Sequence, residues 1–432
     1  MKILQRSDYT FKFNQKQGRH GWLRLTPAYS VKLVNEIISN IPQDSLILDP
    51  FSGTATTGLV SSEHGLAAHC FDINPFLIWL GNAKCRNYSE IELNELKEKI
   101  KSILEDCKAI ANEDNWFPDI HNIARWWCRH TLNVLAALRQ ALVNQIGEPK
   151  DNNVSSLAWI AFCRLIIETS TAAFNHVSMS FSEKSTRYEI EQIESIYQNI
   201  VNAIIESAEK NLSGSASVYF VDSKETVLIK GMKYSHVVTS PPYPNRISYI
   251  RELRPYMYWT KHLETAKEAG EIDWKAIGGT WGIATSRLKD WEAGEVSLPS
   301  SIQSISSKII ETDEKNSMLM GKYVWKYFND MHLHFRNLRE KLKKGALLSY
   351  IVGNSSFYGV QVNSAELLKD SLVQLGYTNV GSKIVRKRNS KKELFEYCIY
   401  ATWEQKNKII PLFIVNLNNK NRQLSLFGES WG

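Results

Sequence analysis

The chain has 432 residues, 43% hydrophobic and 22% charged, which is the balance of an ordinary globular protein and excludes a disordered or low-complexity one. A formal net charge of +7 suits a nucleic-acid partner, because phosphates attract Lys and Arg without regard to sequence. Six cysteines without a CxxC spacing argue against a zinc site and a disulfide framework, so the expectation is reduced thiols and no bound metal.

The first residues, MKILQRSDYTFKF, hold no apolar core of a signal peptide, and the expected location is the cytoplasm. The first clear strand-turn-helix signal is SLILDPFSGTATTG, Ser45 to Gly58, where an apolar run ends in Asp49. A helical LVSSEHG follows, and then a strand, AAHCFDIN, that ends in Asp72. Strand, turn, helix and strand in that order make a βαβ unit, the element of a parallel sheet.

Helical spacing takes over from Ile91 to Cys107 and returns at Ile123–Ile146, Leu157–Phe174 and Ile190–Ala208. Arg164 and Glu168 within the most apolar of these argue for a buried helix and against a membrane span. Strand signals resume with SASVYFVD and HVVTSPPY. The stretch from Lys261 to about Met320, with scattered Gly, Trp and Ser, has the composition of an irregular, partly exposed module. A helix from Tyr323, the strand ALLSYIVGN, a helix at Ser364–Leu375 and strands at Asn379–Val385 and Leu394–Thr402 complete the pattern.

The turn after a first parallel strand is where α/β proteins bind nucleotides. Gly53 lets the backbone approach a ligand that a Cβ would exclude, and the N–H groups of the next helix start can hold a carboxylate. Asp72 stands where an acidic side chain accepts from both ribose hydroxyls. These features point to an adenosine-containing ligand. DPFSGTATT resembles the DPFxGxGTT donor-binding motif of DNA amino-methyltransferases, with Asp49, Pro50, Phe51, Gly53, Thr56 and Thr57 matching and Ala55 standing in place of the second glycine. The resemblance implies S-adenosyl-L-methionine as cofactor, held by Asp49, Pro50, Phe51, Ser52, Gly53, Thr54, Asp72 and Ile73. His20 to Val34 resembles the segment that closes over the methionine end of the donor, and an ordinary N-terminal helix reads equally well.

In HVVTSPPY, two consecutive prolines after a strand force a rigid, extended exit and fix the Ser240 hydroxyl in one orientation. TSPPY resembles the catalytic [NDS]PP[YFW] motif of the same family. Carried over, Ser240 and the Pro241 carbonyl accept from a target amine, Pro242 keeps the turn rigid, and Tyr243 stacks on the flipped base. Asp222, at the end of VYFVD, takes the place of the residue that contacts the donor's adenine. A leading serine implies N4 of cytosine, with N6 of adenine as the alternative. An RNA base methyltransferase and a non-catalytic DNA-binding protein are further readings. C5 methylation would need a cysteine nucleophile after proline, and no Pro-Cys dipeptide occurs.

The expected fold is α/β, a Rossmann-like class I S-adenosylmethionine-dependent methyltransferase sheet with a helical insertion and a smaller polar insertion. The expected division is 1–88 with the donor motif, 89–212 helical, 213–260 with TSPPY, 261–320 for target recognition, 321–405 completing the catalytic domain, and 406–432 as a tail. The resemblance implies double-stranded DNA as a partner and a cognate restriction endonuclease as a companion. Candidates for reading DNA are Trp274, Trp281, Arg287 and Lys289 in the polar stretch, with Arg187 in the helical insertion as rival. Arg386, Lys387, Arg388, Lys391 and Lys392 read as a turn that touches phosphate. Gln423 to Phe427, QLSLF, resembles the peptide by which bacterial replication proteins dock on the sliding clamp, with Leu and Phe as pocket anchors.

Overall fold

The structure, a computed structural model, describes residues 6–404 apart from 26–27, 150–152, 174–179, 184, 228, 247, 280–282, 295 and 389–393. Seven strands form its central sheet: β1 (Leu46–Asp49), β2 (Ala67–Asp72), β3 (Ser215–Phe220), β4 (Tyr234–Thr239), β5 (Leu342–Gly353), β6 (Thr378–Lys387) and β7 (Phe395–Trp403). Their order across the sheet is β6-β7-β5-β4-β1-β2-β3. The pairs β1–β2, β1–β4, β2–β3 and β4–β5 are parallel, while β7 runs antiparallel between β5 and β6. This is a Rossmann-like, mostly parallel sheet. Strand order reverses between β1 and β4, and such sheets leave a crevice beyond the strand ends at that point.

The strands form because both faces of the sheet are covered, which selects apolar residues on both sides. Ile47 and Val238 meet Val34 and Ile38 of α1 (Val31–Ile38) and Val60 of α2 (Thr56–Glu63). Leu48 and Val237 face the other way, among Val324, Phe328 and Phe335 of α12 (Ser317–Leu338) and Leu368 of α13 (Ser364–Gln374). Each such fully buried side chain stabilises the fold by about 1.5–3 kcal/mol.

Between β2 and β3 the chain runs through α3 (Pro75–Cys85), α4 (Glu90–Ile110), α5 (Arg129–Ile146), α6 (Ser156–Glu168) and α7 (Ile190–Ala208). These helices share one core, with Trp127, Trp159, Tyr197 and Trp259 at its centre. Buried Arg19 donates to the carbonyls of Lys84, at the end of α3, and of Ala208 and Lys210, at and beyond the end of α7. One guanidinium thus satisfies carbonyls that helix ends leave unpaired.

After β4 come α8 (Tyr249–Trp259), α9 (Ala266–Lys275), α10 (Ile283–Asp290) and α11 (Ser300–Ile310). The stretch expected to be irregular therefore holds three helices. Its scattered polar residues conceal short amphipathic faces, such as Ile302, Ser306 and Ile309 of α11, which pack on α12. The helix expected from Tyr323 begins at Ser317, inside that stretch, and the helix expected to reach Phe174 ends at Glu168. None of the described helices is long and apolar enough to cross a membrane. All six cysteines are free thiols, five of them buried.

Candidate functional site

A cavity of about 920 Å³ opens beyond the ends of β1, β2 and β4. Pro50, Phe51, Ser52, Gly53, Thr54, Asp72, Ile73, Asp222 and Ser240 to Tyr243 all line it. Asp49 and Thr57 lie just behind the lining, fully buried.

The donor-loop half comes from one continuous piece of chain. Asp49 Oδ1 accepts from the Phe51 N–H at 3.0 Å and from the Thr239 hydroxyl at 2.5 Å, while the Thr57 hydroxyl donates to the Val238 carbonyl at 3.1 Å. The end of β1 is thereby tied to the residue just before Ser240. Gly53 sits at a φ of +50°, and a Cβ there would meet only the Phe51 carbonyl, at 4.0 Å. Apart from its chain neighbours no other atom of the described residues comes within that distance, so the cavity has room for a ligand against the backbone. Ala55 takes the left-handed conformation too, with φ +59°, a region that glycine enters without strain. For a residue with a Cβ this costs about 1 kcal/mol.

Asp72 Oδ2 accepts from the Gly53 N–H at 2.9 Å and Oδ1 from the Asn74 N–H at 2.8 Å. The Gly53 N–H is therefore engaged within the protein and is not one of the groups left for a donor carboxylate. Burial pushes both Asp49 and Asp72 up to about 6. Asp222 stands two residues beyond the end of β3, paired with Lys224 at 3.0 Å. Tyr29 contacts the Thr57 hydroxyl.

Sequence reasoning missed Lys84, a buried lysine whose Nζ donates to the Thr54 carbonyl at 2.8 Å and whose burial lowers it to about 8. Its signal was a lysine on the apolar side of FLIWLGNAKC. His334 was missed as well. It packs edge-on against Phe51, with Nδ1 on the Ser223 carbonyl and Nε2 on the Tyr350 hydroxyl, and burial pushes it down to about 3.

The other half gathers residues from distant parts of the chain. Ser240 Oγ donates to the Ile351 carbonyl at 3.1 Å, and among the described residues no donor reaches the Pro241 carbonyl. Tyr327 donates to the Pro242 carbonyl at 2.8 Å, and the Tyr243 N–H donates to the Tyr249 hydroxyl at 3.0 Å. The Tyr243 hydroxyl lies 3.4 Å from Glu396, which receives a two-point ion pair from Arg386 at 2.7 and 2.8 Å. A Cβ on Gly353 would fall 2.7 Å from the Tyr243 ring, so only glycine lets that ring lie against β5. Arg388 donates to the Asn354 carbonyl and sits 5.7 Å from the ring centre.

The phosphate-touching turn is corrected in part. Arg386 is a strand residue locked to Glu396, and Arg388 is held inside the cavity wall. Lys391, Lys392 and Trp281 lie outside the described residues, as does Gln423–Phe427. Lys387 lines the cavity, as do Ile272, Asp273, Lys275, Ala276 and Ile277 from the polar stretch. Trp274, Arg287 and Lys289 do not line it, and Arg287 is paired with Glu271. Nor does any described residue of 89–212, Arg187 included; that side chain pairs with Glu189. Among the described residues no group of three His, Cys, Asp or Glu side chains could hold a metal ion.

Comparison with known proteins gives a match over residues 31–221 to the family model described as D12 class N6 adenine-specific DNA methyltransferase. The chain is 23% identical over 277 residues to the Type II methyltransferase M.BsoBI of Geobacillus stearothermophilus, a match covering 58% of this chain and 54% of that protein. It is 19% identical over 340 residues to the Type II methyltransferase M.MvaI of Kocuria varians, covering 72% and 71%. A 74-residue match to the Type II methyltransferase M.AvaI of Nostoc sp. is 32% identical and covers 17% of this chain and 15% of that one. The chain thus spans about half the length of the first of these relatives. The solved rRNA methyltransferase aviRa of Streptomyces viridochromogenes aligns over 87% of this chain at 10% identity, but with a TM-score of only 0.27. The matched family model covers the donor loop, and that loop is hydrogen-bonded to the strand leading into the serine–proline turn. Residues 31–221, the donor loop included, are thus similar to a DNA amino-methyltransferase family, and the likeness implies S-adenosylmethionine as the cofactor.

Proposed function

We propose that the chain methylates N4 of a cytosine extruded from duplex DNA. The supporting observation is the setting of Ser240: its hydroxyl has the Ile351 carbonyl at 3.1 Å as its nearer acceptor and the Tyr243 hydroxyl at 3.5 Å as a longer one, and while it donates to either of them it offers a ligand in the cavity the lone pairs of Oγ. The Pro241 carbonyl beside it offers a second acceptor. An exocyclic amine brings two hydrogens and is a poor nucleophile while its lone pair is delocalised into the ring. Two acceptors draw it toward a tetrahedral geometry and direct the lone pair at the donor.

The bound cofactor supplies an electrophilic methyl group on a sulfonium. Residues 50–54 and Ile73 would line its site, Asp72 would accept from its ribose, and Asp222 would face its adenine. Tyr243, backed by Gly353, would give the extruded base a stacking wall, which offsets part of an unstacking cost of a few kcal/mol. Ala55 takes a left-handed conformation of the kind glycine favours, which supports a working donor loop over the non-catalytic reading.

A second reading, N6 of adenine, is favoured by the description of the matching family model, although the matched residues end at 221, before Ser240. The deciding experiment is expression in a host that lacks DNA methylation, followed by sequencing for modified bases. N4-methylcytosine in one short motif, erased by Ser240→Ala, is the expected outcome. Modified adenine would overturn the base assignment, and unmodified DNA would overturn the DNA reading.

The relatives' names support a role beside a restriction endonuclease, checked by a search for a nuclease blocked by the modified motif. Clamp docking through Gln423–Phe427 concerns residues outside the described structure. Unchanged capture on immobilised clamp by a Leu426→Ala, Phe427→Ala variant would dismiss it.

A further inference from the structure

Arg246 follows Tyr243 by three residues and has a backbone φ of +59°, a conformation that a side chain with a Cβ adopts only when its surroundings enforce it. The enforcement is visible. The Asn245 N–H donates to the Tyr243 carbonyl at 2.8 Å and closes the turn. The Arg246 N–H donates to the hydroxyl of buried Tyr323 at 3.2 Å, and that hydroxyl donates in turn to the Gly278 carbonyl at 3.2 Å. A residue of α12 thereby fixes the turn against the end of the α9 segment.

The Arg246 side chain is exposed and has no carboxylate, carbonyl or ring partner among the described residues. Arg251, in the first turn of α8, is exposed and unpartnered in the same sense. Both line the cavity that contains Ser240. Other arginines are engaged: Arg386 with Glu396, Arg388 with the Asn354 carbonyl, Arg287 with Glu271 and Arg164 with Glu168. From this part of the chain the cavity is lined by residues 248–253 and 272–277 around α8 and α9.

Two exposed guanidinium groups that line the cavity and have no partner among the described residues, one of them on an enforced turn, suit a ligand with negative charge beside the pocket. A guanidinium matches phosphate geometry with two parallel N–H donors. We infer that Arg246 and Arg251 grip the phosphodiester backbone of duplex DNA beside the extruded nucleotide, an inference that rests on the DNA reading above.

The test measures binding of the full-length chain to a duplex oligonucleotide across a range of salt concentrations. Arg246→Gln, Arg251→Gln and the double variant are compared with wild type, and Arg287→Gln serves as an ion-paired surface control. Donor binding by calorimetry verifies that each variant is folded. Each single variant is expected to reduce the slope of log affinity against log salt by about 1, and the double variant by about 2. At about 0.1 M salt this corresponds to roughly tenfold weaker binding per arginine. Arg246→Lys keeps the charge and is expected to keep the slope. Donor-competent variants with an unchanged slope would overturn the clamp and leave the DNA reading standing, and so would a slope lowered equally in Arg287→Gln. A wild-type chain without salt-dependent duplex binding would instead overturn the DNA reading, and the clamp with it.

Discussion

The two halves of the cavity are built in opposite ways. The donor loop itself lies within residues 49–74, and its internal bonds, Phe51 to Asp49 and Gly53 to Asp72, join residues two to 19 positions apart, while Asp49 and Thr57 anchor it to Thr239 and Val238, 190 and 181 positions away. The target half joins Ser240 to Ile351, 111 positions away, Tyr243 to Glu396, 153 away, and Pro242 to Tyr327, 85 away. A local half carries its geometry in a short motif. A dispersed half exists only once the sheet has closed and the β5–β7 pairing is in register.

Damage to one half should therefore be separable from damage to the other. The largest separation is expected from Gly353→Ala. The new methyl group would fall 2.7 and 2.8 Å from two atoms of the Tyr243 ring and force it to move. A misplacement of about 1 Å at a reacting site can cost about 100-fold in rate. Methyl transfer should drop to that extent while calorimetric donor affinity stays within about twofold; a parallel loss of donor affinity would show that the halves are not independent.

The reverse separation comes from pH. Asp49 and Asp72 stand near 6 before donor binds, against an ordinary value of 3.8. Raised carboxylates favour the donor-free fold while protonated, and that contribution is lost as pH rises from about 4 to 6. A donor that requires them ionised should bind more weakly below pH 6, by up to about tenfold per unit for each carboxylate that must ionise. Donor affinity is a cleaner readout than melting temperature here. His262, His332 and His334 are pushed down to about 4, 4 and 3, so protonation opposes folding as pH falls below 6.5, in the opposite sense to the carboxylates. A donor affinity flat from about pH 5 to 8 would remove both carboxylates from the donor site.

The smallest effect is expected from Lys84→Met, which keeps the aliphatic packing but loses the hydrogen bond to the Thr54 carbonyl. Such a bond from a charged group is worth about 1.5–3 kcal/mol. Because the loop keeps its other anchors, donor affinity should weaken by about tenfold, with the turnover rate at saturating donor unchanged. An altered turnover with normal donor affinity would mean that the loop acts on the target half instead.

The Rossmann-like sheet and both motif-bearing turns were legible in the sequence, because each depends on neighbours in the chain. Apolar runs fixed β1, β2 and β4, and Gly53 and the two prolines declared their turns by residue type. Periodicity placed α7 at Ile190–Ala208. The 261–320 stretch was misread because short helices that pack only on other elements, such as α11 on α12, leave a weak periodic signal. Arg386 was misread for a related reason: a basic run looks solvated until Glu396, ten residues on, comes opposite it across a strand pair.

By itself the sequence determined the Gly53 turn after β1 and the rigid exit at Ser240, since a glycine's conformational freedom and a proline's missing N–H are properties of the residues. Only the tertiary structure decided that Ser240 has the Ile351 carbonyl as its nearer acceptor, that Gly353 makes room for Tyr243, and that Arg246 stands exposed on an enforced turn. Those features depend on which strand lies beside which, a choice made by burying apolar faces along the whole chain rather than by any local preference.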